Sequence, residues 1–541
     1  MKKIKICFIF LVIILSSLTQ NSYSQLGNKN MYLLGNVNTH TTPYSALWGY
    51  VAPDGREYAI LGCYDGTQFV DITDVNNIHQ VGFVPSTNPA SSNNLWREMK
   101  TYSHYAYIVS EVGSSGIQIV DLQYLPDSVH YVKKFLPAGY SNTHSISQEG
   151  PYLYVNGAAV GQGVTVYDLT IDPETPVKRG ANNSRYIHDC RVFNDTIYAA
   201  NVYDGKISII SASNKNSLTN VVPSFNNLTS SGPHNTAVTA DRKNLLVTDE
   251  VGAFPRLMKI WNIEDLYNIT YVSSWQPTGI TNTIVHNVEA YGKYALLAHY
   301  EAGVRLVDIS NPASPTEVAW YDTYPTDNPD YNGCWGVYMF PSGKIIGSDR
   351  STGLYVLKTN FNIKTAIQGL YNSANNKLYI KDTVTAYLRS DVSPYNKIDS
   401  SKAVIDSVSL TGNFKFNNAI TGTYYIVLNH RNSIETWSRA NGENYNPMSF
   451  NTFDFTNAAS KAFGDNMTQT DVSPVIFAMY SGDVNQDGVI DASDMSITEN
   501  DIANSVSGYV ASDLNGDFSV DASDIAIVEN NSSASVSISS P

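Results

Sequence analysis

A polar or aromatic residue recurring at intervals of 44 to 52 residues, short alternating strands behind each recurrence, and a pair of acidic twelve-residue loops near the C-terminus predict a mainly β chain. The expected order is a seven-bladed β-propeller, then a small β-sandwich, then a short helical calcium-loop pair.

The repeat runs from residue 36 to 360. Four units end in plainly related strands, GTQFVDIT (66–73), GIQIVDLQ (116–123), GVTVYDLT (163–170) and GVRLVDIS (303–310). GKISIISA (205–212), LMKIWNIE (257–264) and GLYVLKTN (353–360) are divergent versions. Alternating apolar positions in short Val/Ile/Tyr-rich runs mark strands with one face on a core. Aligned on these strands, Trp48, Trp96, His144, His188, His234, His286 and Trp335 fall in one column. Units of this length with three or four strands suit propeller blades. Each blade buries its faces only against its neighbours, and closure removes the sheet edges. A parallel β-helix needs a far shorter repeat, and an open sandwich does not repeat seven times.

In a closed ring, equivalent positions meet around the axis. His144, His188, His234 and His286 then line one arc. A second column, at the acidic turns after the next strand, holds Asp65, Glu111, Asp204, Glu250, Glu301 and Asp349, with His299 two residues before Glu301. If the columns share a face, imidazoles and carboxylates converge on a candidate site for zinc, iron or copper. The same groups suit acid–base chemistry on a bound substrate. The competing reading is structural, a satisfied polar network that pins one blade to the next. The chain shows no GxSxG elbow, HExxH, glycine-rich phosphate loop or CxxC pair, which weighs against an enzyme.

GVRLVDISNPASP (303–315) looks like the LVIVD repeat. HTTPYSALWGY (40–50), with YAILGCYDGTQFVDITD (58–74), resembles the choice-of-anchor B family of exported bacterial proteins. The resemblance covers residues 36 to 360. It implies surface or extracellular placement, a propeller body with a variable C-terminal attachment region, and no established catalytic activity.

Residues 363–478 lose the repeat period. Alternation in TVTAYLR and TYYIVLN predicts an accessory β-sandwich, loosely similar to transthyretin-like or Cna-B-like domains. His430, Arg431, Glu435 and Trp437 lie together in sequence as a candidate surface patch, against the plainer reading of a spacer with ordinary polar loops.

The sharpest chemistry lies in 479–530. DVNQDGVIDASD (483–494) places Asp483, Asn485, Asp487, Asp491 and Asp494 at loop positions 1, 3, 5, 9 and 12. DLNGDFSVDASD (513–524) places Asp513, Asn515, Asp517, Asp521 and Asp524 likewise. Ca²⁺ takes six to eight oxygens from such a wrapping loop. Position 6 needs a sharp turn; Gly488 suits it and Phe518 does not. The duplicated loops resemble a dockerin type I module. That resemblance implies calcium and raises a cohesin-type partner, although Ala-Ser follows position 9 in both loops, where dockerins usually present their partner-contacting pair. The Ser-rich stretch 531–541 reads as a flexible tail.

Lys2, Lys3 and Lys5, an apolar Ile6–Leu15 run and Ser22-Tyr23-Ser24 before Gln25 read as a signal peptide over 1–24. The run is too short to span a membrane, and no second segment is long enough. The net charge of −15 argues against a nucleic-acid partner. Cys63, Cys190 and Cys334 allow either one bridge, attractively between first and last repeats, or three free thiols. The favoured function is an extracellular or cell-surface binding or scaffold protein whose propeller recognises a protein or glycan. One alternative is a metal-dependent propeller enzyme of hydrolase or lyase class using the histidine and carboxylate columns. The other is a structural surface-layer component.

Overall fold

The computed structural model describes residues 27–158, 162–229 and 231–541. The expected signal peptide lies outside them. Seven antiparallel sheets, five of four strands and two of five, form the blades in chain order. The third blade shows the pattern, with strands Ser145–Glu149, Tyr152–Asn156, Val164–Asp168 and Val177–Asn182 in sequential order. Its side chains alternate between two interfaces. Tyr154, Val164 and Val166 pack with Ile197, Ala199 and Ile210 of the fourth blade. Leu153, Val155 and Tyr167 pack with Tyr107, Val109 and Ile119 of the second. Burying each Ile or Val fully contributes roughly 1.5–3 kcal/mol, so both faces of every sheet must be covered.

The GxxxVD signature has a local cause. Gly303 has φ +77°, and a Cβ there would lie 2.4 Å from the Tyr321 carbonyl oxygen on the adjacent strand. The closing Asp accepts a hydrogen bond from the backbone N–H two residues on, Thr73 to Asp71 and Ser310 to Asp308 at 2.8 Å each, turning the chain out of the strand.

The ring closes through its two ends. Met31–Val37 pairs antiparallel with Gly353–Thr359 and forms the outermost strand of the seventh blade. Asn28–Lys29 adds to the outer edge of the sixth. The closure therefore begins ahead of residue 36. Val37, Leu61, Val70, Phe340 and Val356 share the core between the last and first blades.

Beyond the ring, a sheet of Thr411–Phe414, Phe361–Lys364 and Asn451–Asp454 faces a five-stranded sheet centred on Asp382–Ser390 and Gly422–His430. Phe361, Ile363, Leu388, Phe414, Leu428 and Phe455 fill the space between them. This unit touches the propeller directly: Met448 and Phe450 pack on the core shared by the sixth and seventh blades. Tyr32 donates to Asn417 Oδ1 at 2.7 Å.

The C-terminal module has two helices, α1 (Ala492–Ala503) and α2 (Ala522–Ser533). It is seated on the second sheet: Ile434 lies in one core with Val484, Ile490, Leu514, Val528 and Val536. Two expectations are corrected here. His430 is buried against Asp382 at 3.1 Å and Trp437 is buried beside Tyr425, so these residues are not a surface patch. Arg431 reaches across to the carbonyls of Val510 and Asp513, and Asn432 to those of Ala511 and Asp513. The 531–541 stretch is not a free tail. Val536 is buried, its carbonyl accepts from Ile490 N–H at 3.0 Å, and Ile538 N–H donates to Gly488 O at 2.9 Å.

Cys63, Cys190 and Cys334 are buried and unbridged. Burial pushes the Cys190 thiol up to about 12, with Asp189 adding to it, so a reactive thiolate is suppressed. A chain starting at residue 25 should give no reaction with a thiol reagent when native. It should titrate as three thiols when unfolded without reductant. A count of one would show a bridge.

Candidate functional site

The first inner strand of each blade starts at one mouth of the channel, and the turn after the second strand returns to that mouth. The strand-start residues His144, His188, His234 and His286 therefore follow one another around it as mutually tilted rings. Successive ring centroids are 4.0, 4.3 and 4.1 Å apart. Trp335 continues the arc 4.9 Å from His286, and Trp96 and Ala46 complete the lining. In the first blade it is Ala46, not Trp48, that stands at this level. Trp48 lies deeper, with Lys100 4.0 Å over its ring.

Glu111 and Glu250 come from the returning turns. His144 Nδ1 is 2.5 Å from Glu111 Oε1. Burial lowers the His144 imidazole, but the Glu111 hydrogen bond and charge outweigh it and leave it raised. His188 and His286 are held well below the usual range by burial first and by neighbouring imidazoles next. His234 is lowered by burial, with Glu250 opposing. Along the arc, the surroundings thus favour the protonated form at His144 and the neutral form at His188, His234 and His286. His286 Nδ1 donates to the Trp335 carbonyl at 2.5 Å, which leaves Nε2 a bare acceptor. Glu250 accepts from the Tyr300 hydroxyl at 2.7 Å and lies 3.4 Å from His234 Nε2 and 3.7 Å from His286 Nε2.

Five expected members stand apart. Asp204 pairs with Arg185. Glu301 is taken by Thr326 Oγ1 at 2.6 Å and Asn328 N–H at 2.7 Å. His299 is turned into the sixth blade beside Trp275. Asp65 meets His40, and Asp349 caps its own turn through the Ser351 and Thr352 N–H groups. The acidic column thus divides between the arc and local turns.

Two features were not legible in the repeat. Below the histidines the channel is plugged by a buried charge layer. Lys100 pairs with Glu98 at 2.8 Å, Arg191 with Glu289, and Asp189 with Asn235. Burial, then Glu98, pushes the Asp189 carboxyl up to about 7. Above them an open cup of about 350 Å³ is lined by Leu95, Trp96, Glu250, Tyr300, Tyr331, Trp335 and Arg350. Arg350 lies 5.3 Å over the Trp335 ring and donates to the Tyr331 carbonyl. Conspicuous Trp and Tyr residues are the only signal of this cup in the sequence, and nothing in their spacing groups them.

At the C-terminal loops, Asp483, Asp494, Asp513 and Asp524 are buried, and none has a Lys, Arg or His ion-pair partner among the described residues. Burial first, then Asp494 and Asp487, push the Asp483 carboxyl up to about 6. Such like-charge crowding fits a hard cation at each loop. Asp491 and Asp521 cap α1 and α2, each accepting from the Ser N–H two residues on at 2.7 and 2.8 Å. The position-6 turn is left-handed in both loops, with φ +91° at Gly488 and +68° at Phe518.

Burial, then the Arg305 charge, holds His299 at about 3. The unfolded imidazole gains its proton near pH ~6.5 while the folded one does not. Stability is therefore full above ~6.5 and falls with pH below it, by about 1.4 kcal/mol per unit from this group. Between about pH 7 and about pH 5, urea unfolding of His299→Gln should show roughly 2 kcal/mol less loss of stability than the native chain. Phe518 is half exposed and loses little packing when removed. Phe518→Gly should raise the stability of the calcium-loaded chain by about 1 kcal/mol in urea titration.

Residues 284–323, which span the sixth blade, match the LVIVD repeat, and residues 481–531 match the dockerin type I domain. No curated protein matches the chain. The chain is similar to solved structures described as the WD40 β-propeller domain of Doa1, U3-55K, and RRP9 WD40 repeats. Their identities are 11%, 10% and 10%; each covers 60% of this chain, and 96%, 98% and 96% of those chains are covered, with a TM-score of 0.44 in each case. The chain carries an LVIVD repeat within a β-propeller and a dockerin type I domain at its C-terminal end.

Proposed function

We propose that this is an exported cell-surface binding protein that takes a glycan in the cup at the histidine mouth of the propeller. The observation that carries this reading is the cup itself. It sets Trp and Tyr rings beside one carboxylate and one guanidinium, above a channel whose deeper layer is filled by paired charges. Aromatic faces stack on the C–H face of a sugar, while Glu250 and Arg350 offer complementary hydrogen-bonding groups. Export rests on the N-terminal sequence pattern. Among the described residues no helix is long and apolar enough to cross a membrane.

The calcium module serves as a clamp. Asp483, Asn485, Asp487 and Asp494 would hold one ion, and Asp513, Asn515, Asp517 and Asp524 a second. Asp491 and Asp521 contribute through their free oxygens or through water. Because Arg431 and Asn432 bind the backbone at the head of the second loop, ordering that loop also orders the sandwich edge. A cohesin-type role is less favoured. The Ser493 and Ser523 hydroxyls already bond within their loops, accepting from Asn485 and Asn515 at 2.8 and 2.7 Å.

Probing a glycan panel and envelope extracts with the calcium-loaded chain tests the reading. Glycan binding should be lost in Tyr331→Ala and kept when the chain is truncated before residue 479. Recovery of protein alone, or binding indifferent to Tyr331, would contradict it. In protein free of transition metal, removal of calcium should lower the melting temperature of the sandwich and leave that of the propeller unchanged.

A further inference from the structure

We infer that His188, His234 and Glu250 form a site for a single borderline divalent cation of the zinc class at the mouth of the propeller, with His286 adjoining it. This goes beyond glycan binding, which the cup's aromatic wall carries independently of any ion.

The geometry comes first. One ligand atom from each of His188, His234 and Glu250 lies within 4.8 Å of the other two. Two imidazoles and a carboxylate on this scale are a nitrogen–oxygen donor set suited to zinc and its neighbours rather than to calcium. The 3.4 Å between His234 Nε2 and Glu250 Oε2 is too long for a hydrogen bond. It matches the edge of a tetrahedron built on metal–ligand bonds of about 2.0–2.1 Å. His286 Nε2, at 3.7 Å from Glu250 Oε1, is close to the same spacing.

The proton inventory points the same way. His286 gives its Nδ1 proton to the Trp335 carbonyl, so its Nε2 turns a lone pair toward a carboxylate. Carbonyl-anchored imidazoles with a bare second nitrogen are how metal-ligating histidines are oriented. Two lone-pair groups facing each other repel unless a cation lies between them. Glu250 has no Lys or Arg ion pair among the described residues, only the Tyr300 hydroxyl. His188 and His234 are 8% and 4% exposed, and the Nδ1 of each is buried with no partner. Neither ring is held to a neighbouring blade through that atom. The fourth His of the arc differs. His144 is already paired with Glu111 and is spent structurally.

Three protein ligands leave a tetrahedral ion one open position. Because Glu250 also lines the cup, that position faces the space where an exterior ligand would sit.

The test uses the full chain, purified without chelator and saturated with Ca²⁺ so that the C-terminal loops are filled. Co²⁺ titration should show about one equivalent taken up in a tetrahedral nitrogen–oxygen environment by visible absorption, and Zn²⁺ should displace it. His234→Ala and Glu250→Gln should each weaken uptake by more than about tenfold, the loss that an outer-shell change alone produces. His144→Ala should leave uptake intact. Calcium stoichiometry and melting report whether each variant is folded. X-ray absorption of the Zn²⁺-loaded native chain needs no variant and should show imidazole scattering mixed with oxygen. No uptake beyond calcium, uptake indifferent to His234 and Glu250, or an oxygen-only shell would overturn the proposal.

Discussion

Pairing between the two ends of the repeat region is the interaction on which the rest depends. Without Met31–Val37 against Gly353–Thr359, the seventh blade would expose an open edge, and the core it shares with the first would lose Val37. A propeller has no other core. Every apolar face lies between two blades, so closure at one interface fixes spacing at all seven. That spacing in turn sets four imidazoles in succession around the axis, each about 4 Å from the next.

The channel is organised in depth by the alternation of its inner strands. Strand-start residues form the histidine arc. Residues one to four positions further in carry Glu98, Lys100, Asp189, Arg191 and Glu289, which pair with one another or with neutral amides. Removing one partner of such a buried pair costs about 3–5 kcal/mol, because the other charge is left uncompensated. These paired charges occupy the channel on the far side of the arc from its mouth. At the mouth the buried imidazole arc, Glu250 and the aromatic walls come together.

Much of this was legible in the sequence because repetition exposes it. Strand endings such as VDIT and VDIS located blades, and the histidines at equal offsets located the axis. The acidic loops declared themselves through spacing alone. What the repeat could not show depends on contacts between distant segments. Trp48 aligned with the marker column, yet Ala46, two residues earlier in the chain, occupies that level. Glu301 and Asp204 sit at the same turn as Glu250, but local partners, Thr326 and Arg185, draw them away. His430 and Arg431 looked solvent-facing because their partners, Asp382 and the second acidic loop, lie far off in the chain. The 531–541 stretch has a tail's composition, and only its backbone bonds to Gly488 and Ile490 hold it down.

The molecule thus separates two kinds of cation chemistry. Oxygen-rich loops at the C-terminal end gather buried carboxylates for a hard ion, and nitrogen-rich geometry at the propeller mouth suits a softer one. Crystals grown with both calcium and zinc, measured on either side of the zinc absorption edge, test this division most directly. The account predicts zinc-specific anomalous density between His188, His234 and Glu250, with edge-independent density in the two C-terminal loops. Zinc density confined to those loops, with none at the axis, would contradict it.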